Sequence, residues 1–168
     1  MIENNTHIKD DPVVNIQRDA IGHRATWTGL TYTKAREAGM AEAAEKIIRA
    51  AISETGSIHG SEIRENCQDP QSVACFVDTF MTPNVVKTFE VEFTAKGKDR
   101  VDLEFHHCPL LKAWQELGFD DHTCEKLCDM AMDGDRHIAR AMGYQFDLGD
   151  TIANGQKTCK LSFYKQGA

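Results

Sequence analysis

Two hydrophobic rhythms divide this chain. In the first half, Met40, Ala44, Ile47, Ile48 and Ala51 recur at spacings of three and four between Tyr32 and Ile52, among Ala, Glu, Lys and Arg. That period predicts an amphipathic helix ended by Gly56. Beyond Lys87 the period becomes two. Phe89, Val91 and Phe93 share one face of a predicted strand from Lys87 to Ala95, and Val101, Leu103 and Phe105 alternate with Asp102 and Glu104 in a second strand from Arg100 to His107. The turn over Lys96 to Asp99 makes them a hairpin. A second hairpin pairs the Tyr144, Phe146, Leu148 face with Cys159, Leu161 and Phe163, across a turn at Asn154 and Gly155. Between the hairpins, Pro109 opens a short helix over Leu110 to Leu117 that stops at Gly118. Asp120 or Asp121 then caps a longer one from His122 to about Met142, closed by Gly143. Ser72 to Phe80 reads as a further helix between Pro70 and Pro83. The expected architecture is α+β: an antiparallel sheet from two hairpins, about residues 87–107 and 144–164, packed against helices, with a helical N-terminal half. Residues 1–31 read as a polar leader, in which Trp27 and Leu30 point to an arm packed on the domain or on a second subunit.

With 168 residues, the chain is expected to be a single domain spanning 1–168. No apolar run is long enough to cross a bilayer, and the net charge of -7 with scattered basic residues argues against nucleic acid and against an anionic membrane. The polar stretch Met1 to Asp11 carries no targeting pattern, so the expected compartment is the cytoplasm. Six cysteines in a reducing compartment point to metal, redox or catalytic chemistry more than to disulfides. There is no Gly-rich phosphate loop and no internal repeat, and no cofactor is expected. The expected partner is a small-molecule substrate, with a homo-oligomer left open.

Cys108 stands out by position. It lies where a strand ends and Pro109 opens a helix, so its sulfur should sit at a helix N-terminus, where unsatisfied N–H groups favour a thiolate; burial against Leu110 and Trp114 pushes the other way. Two histidines precede it, and strand alternation points them to opposite faces. His107 goes with Val101, Leu103 and Phe105 and takes the expected proton-transfer role, while His106 goes with Asp102 and Glu104. On the following helix, Cys124, Cys128, Ala131, Asp135, Ile138, Ala139 and Met142 form one stripe. Asp135 is the anomaly there: an acid on an apolar stripe either serves chemistry or pairs with Arg136, Arg140 or a backbone N–H. Cys128 and Cys159, taken alone, read as core residues. His122 and His137 near Cys124 and Cys128 invite a zinc reading, but no paired structural-site spacing is present. Cys67 and Cys75 carry no interpretable context.

The ordered set His107-Cys108-Pro109-Leu110, Gly118, Leu127-Cys128, Thr151-Ile152-Ala153-Asn154-Gly155 and Cys159-Lys160-Leu161-Ser162-Phe163 resembles the L-2-amino-thiazoline-4-carboxylic acid hydrolase family. The resemblance implies a small cytoplasmic hydrolase that opens the thiazoline ring of a cysteine-derived substrate to N-carbamoyl-cysteine. It raises Cys108, Cys128 and Cys159 together from core to site residues. Many family members carry an acid three residues after the second cysteine, where this chain has Ala131; Asp135, one turn further on, is the expected replacement. The resulting expectation has Cys108, His107 and Asp135 as catalytic residues and Cys128, Cys159, His106 and Arg136 as substrate-binding ones, with no metal. The competing expectation is a non-enzymatic small-molecule or metal sensor built on the cysteine cluster.

Overall fold

Asp11 starts the first helix. Its side chain accepts from the N–H groups of Val13 and Val14, and Pro12 occupies the first helical position, where a missing N–H costs nothing, so α1 runs Pro12–Glu37. The structure, a computed structural model, describes residues 2–167; Met1 and Ala168, at the ends of the expected domain, lie outside them. Within the segment expected as a polar leader, residues 2–11 form an arm and the rest belongs to α1. The helix escapes a periodicity reading because its buried positions are Val14, Arg18, Ala25, Gly29, Tyr32 and Thr33, mostly small or polar. Trp27, Ile16 and Val13 face outward, so Trp27 does not anchor this segment on the rest of the chain.

The helix expected across Tyr32 to Ile52 is broken by Gly39, whose φ of 75° the helix cannot continue through. After it α2 runs Ala41–Asn66, straight through Gly56. Gly56 is there for packing: a Cβ would meet the Gly134 carbonyl oxygen at 2.5 Å, and one at Gly60 would meet Ala141 Cβ at 2.7 Å. The two glycines let α2 lie against the helix that carries Asp135.

Ser72 caps α3, Val73–Phe80, as expected, and α4 follows at Pro83–Phe89, capped by Thr82. Here the strand expected from Lys87 is shorter. Glu90 adopts a left-handed conformation with φ 52°, and β1 begins at Val91, running to Lys96. It pairs antiparallel with β2, Arg100–Phe105. After β2 come α5, Pro109–Glu116, then α6, Asp121–Ala131, and α7, Asp133–Met142, in place of a single helix; Met132 caps both. The chain closes with β3, Gln145–Leu148, a single 3₁₀ turn at Ile152–Asn154, and β4, Cys159–Tyr164.

The four strands form an antiparallel sheet in the order β1-β2-β4-β3. The two hairpins thus meet at β2 and β4, with Val101 opposite Phe163, Leu103 opposite Leu161 and Phe105 opposite Cys159. All these residues point to the helical side, where Phe163 packs edge-on against Phe76 of α3 at 5.3 Å between ring centres. Trp114 ties α5 to α1: it is buried, donates to the Ala25 carbonyl at 2.9 Å, and lies where a Cβ on Gly29 would touch it. The fold is α+β, as the alternation implied, and no described helix is long and apolar enough to cross a membrane.

Candidate active site

Cys108 is the N-cap of α5, with extended φ and ψ of -127° and 106°. Burial pushes its thiol up, while the N–H groups of Leu111 and Leu110 pull it down; burial wins, so the resting group is a thiol. The expected depression of its pKa is thus reversed, although the sulfur does lie by the helix N-terminus. Asp135 adds negative charge in the same direction.

Two elements bring two more sulfurs to this point. On α6, Cys128 is buried, and its thiol is raised well above the ordinary value by burial and by the proximity of Cys108, Cys159, Asp129 and Asp135. On β4, Cys159 is pushed up to about 12 by burial and by Cys108, while the Ile152 N–H, 3.3 Å from its sulfur, opposes the rise. That amide is presented by the Thr151-Ile152-Ala153-Asn154-Gly155 turn. Thr151 accepts from the Asn154 N–H, the Asn154 side chain accepts from the Thr151 N–H, and Gly155 supplies a φ of 90°. The motif's local work is to fix the backbone that faces Cys159.

Asp135 lies in the first turn of α7, enclosed by protein. Burial raises its pKa to about 6; its own N–H and the charges of Arg24 and Arg136 oppose the shift without cancelling it. Cys108 and Asp135 each keep some surface that water can touch, although burial dominates their titration. Within this group, Cys108, Cys128, Cys159 and Asp135 act on one another electrostatically.

The two histidines lie elsewhere. The His107 ring is buried, and its Nδ1–H donates to the Asn5 carbonyl at 3.1 Å; a carbonyl only accepts, so Nδ1 carries the proton. Nε2 is buried with no hydrogen-bond partner among the described residues, and burial followed by the Arg18 charge depresses the pKa, keeping the ring neutral. The ring faces the arm, Arg18, Glu90 and Lys112. It lines an open cleft of about 710 Å³ between the arm, α1 and α5, and none of the site cysteines lines that cleft. His106 pairs with Glu92 at 3.2 Å, 34% exposed, on the opposite face of the sheet. Arg136 is held by Asp129 at 2.8 Å and Asp133 at 2.6 Å, in a network that Arg49 shares.

Sequence reading missed Arg24, which acts on Asp135, and Asn4, which bonds the Cys108 backbone. Neither sits in a motif; one is an outward residue of an irregularly patterned helix and the other part of a polar arm. Cys67 and Cys75 form a separate pair with sulfurs 3.0 Å apart, and all six cysteines are free thiols. Among the described residues, no three His, Cys, Asp or Glu side chains are grouped so as to hold a metal ion.

The profile of the family described as L-2-amino-thiazoline-4-carboxylic acid hydrolase matches residues 18–163. No match emerged among curated proteins or among solved structures.

Proposed function

Since the chain belongs to the L-2-amino-thiazoline-4-carboxylic acid hydrolase family, we propose that it opens the ring of a small thiazoline carboxylate by hydrolysis, with Cys108 as nucleophile and Asp135 as its partner. The observation that carries this reading is the convergence of Cys108, Cys128, Cys159 and Asp135 at the N-terminus of α5.

The ring carbon of such a substrate, bonded to one sulfur and two nitrogens, is electrophilic, and its amidine is basic. A carboxylate with a pKa of about 6 is ionised at neutral pH and suits that cation. Binding the cation neutralises Asp135, and this removes a charge that disfavours the Cys108 thiolate. The substrate thereby activates its own nucleophile. The Cys108 sulfur then bonds to the ring carbon, the bond from that carbon to the ring sulfur breaks, and the departing sulfur takes the proton that Cys108 gave up. Water attacks the same carbon, the bond to Cys108 breaks, and the ureido product leaves with its free thiol. In this scheme Asp135 moves the proton in both halves. His107 held that role in the sequence reading, but its ring faces the arm. Arg24 and Arg136, the cations that act on Asp135, supply the positive field for the substrate carboxylate. The protonated Cys128 and Cys159 form small, weakly polar walls for the ring sulfur. A cytoplasmic location belongs to the same proposal, since the mechanism needs reduced thiols.

The test is turnover of L-2-amino-thiazoline-4-carboxylate, read as release of a new thiol, together with iodoacetamide labelling of Cys108 with and without that compound. Turnover, its loss in a folded Cys108→Ala variant, and protection of Cys108 by substrate are expected. Full activity in Cys108→Ala removes the cysteine from the nucleophile role. Absence of both turnover and protection overturns the substrate class.

A further inference from the structure

The peptide of the nucleophile is gripped by a residue that lies outside the family match. Asn4 Oδ1 accepts the Cys108 N–H at 2.9 Å, and Asn4 Nδ2 donates to the Cys108 carbonyl at 2.8 Å. One amide thus satisfies both backbone groups of Cys108, as a neighbouring strand does for one residue of an antiparallel pair. Cys108 is the last extended residue before α5, and its carbonyl also receives the Lys112 N–H at 3.1 Å, the first bond of the helix. Fixing N–H and C=O together fixes the direction of the bond from Cα to Cβ, and hence the path of the sulfur.

Arg18 of α1 bonds the Thr6 hydroxyl and the Ile8 carbonyl, and the other fastenings around Asn4 come from residues more than eighty positions away in sequence. Gln115 donates to the Ile2 carbonyl at 2.9 Å and His107 to the Asn5 carbonyl at 3.1 Å. Glu90 takes the Thr6 hydroxyl at 2.6 Å and the Ile8 N–H at 3.0 Å. Ile2 is 7% exposed, a hydrophobic pin at the end of the arm. His107 and Glu90 thus gain a purpose that the reaction does not otherwise give them: they hold the segment that holds Cys108.

We propose that Asn4 is a positioning residue for Cys108, a two-point clamp that fixes the Cys108 backbone and so keeps the sulfur aimed at the reacting carbon. This rests on the proposed role of Cys108 and deepens it. The need for a clamp follows from the site: a resting thiol enclosed by protein attacks only when its helix amides and its target are aligned at the same moment, and small misplacements are costly.

The full chain carrying Asn4→Ala or Asn4→Asp tests this. The readouts are the pH profile of iodoacetamide alkylation of Cys108, resolved by mass spectrometry with Cys124 as internal reference, and kcat and KM for L-2-amino-thiazoline-4-carboxylate. Asn4→Ala should raise the high-pH alkylation rate of Cys108 about tenfold and lower kcat about tenfold, with KM and the Cys124 rate within about twofold, because alignment is lost and binding is not. Asn4→Asp keeps the acceptor for the Cys108 N–H but sets a carboxylate against its carbonyl, so the alkylation midpoint should move to higher pH, which a purely structural tether does not cause. An unchanged Cys108 profile in either folded variant overturns the clamp, as does equal acceleration at Cys124. If Asn4→Ala does not fold, Asn4→Asp decides; if neither folds, the arm is a structural element and the positioning role is wrong. A wild-type protein without turnover defeats the proposed reaction, whereas the alkylation profiles still decide the clamp.

Discussion

Glu90 and Asp135 are both enclosed carboxylates, and their pKa values move in opposite directions. Burial pushes Glu90 up as well, but it accepts from the Thr6 hydroxyl, the Ile8 and His7 N–H groups and the His7 ring, and pairs with Arg18 at 3.0 Å; together these bring it down to about 2. Asp135 has only its own N–H and two more distant cations against the same burial, and stays at about 6. The comparison teaches that burial alone does not set a buried acid's charge; the number of donors aimed at it does. Glu90 is saturated, and so it is structural, fastening the arm to the junction between α4 and β1. Asp135 is left hungry for a cation, which is the state that suits a substrate amidine.

Breaking the saturated side should have the largest effect. Glu90→Ala removes the carboxylate that pairs with Arg18 and leaves four arm donors without their acceptor, and should cost about 3–5 kcal/mol in urea unfolding, as loss of one partner of a buried ion pair does. The pH dependence follows from the same shift. A folded pKa of about 2, below the ordinary 4.5, means that Glu90 contributes stability above pH 4.5 that is lost as the pH falls towards 2, in total about 3 kcal/mol. Acid titration of the unfolding free energy of wild type against Glu90→Gln should show this loss in wild type alone.

Asp135→Asn should act in the opposite sense. Because the folded pKa of about 6 lies above the ordinary 3.8, ionised Asp135 destabilises the fold above pH 6, and the cost vanishes below pH 3.8. The variant should be more stable than wild type by about 2–3 kcal/mol at pH 7.5 and equal to it near pH 4, while turnover falls about 100-fold. A variant that loses stability at pH 7.5 contradicts the assignment of Asp135 as an unsatisfied acid.

Two smaller effects sharpen the contrast. At Gly60 an added Cβ meets Ala141 Cβ at 2.7 Å, so Gly60→Ala should push α7 away from α2, costing about 1–3 kcal/mol and lowering turnover through Asp135. Finally, Glu90→Gly should be less destabilised than Glu90→Ala by about 1 kcal/mol, because φ at this position is 52° and only glycine adopts it without strain. Thermal unfolding of the two variants side by side measures that difference.

Much of the second half of this protein was legible along the chain. The alternation of Val101, Leu103 and Phe105, and of Cys159, Leu161 and Phe163, placed those residues on the buried face, and Pro109 and Gly118 bracketed α5. Such features depend on neighbours a few residues apart, which a sequence displays directly. The breaks were less visible: α6 and α7 share one apolar stripe that runs on across the Met132 joint. At Gly56 the local rule predicted a stop and packing overruled it, since the missing side chain serves a helix 78 residues away at Gly134.

The site divides in the same way. That Cys108 begins a helix was set by Pro109, a local matter. That its thiol rests protonated was set by enclosure, and enclosure belongs to the folded protein. The grouping of Cys108 with Cys128, Cys159 and Asp135, the turning of His107 towards Asn5, and the reach of Asn4 to the Cys108 peptide all join segments far apart in sequence. Periodicity and capping fix which face of an element is apolar and where an element begins. Only the closing of the sheet and the docking of the arm decide which polar groups lose water and which gain partners, and that determines the charge and chemistry of this site.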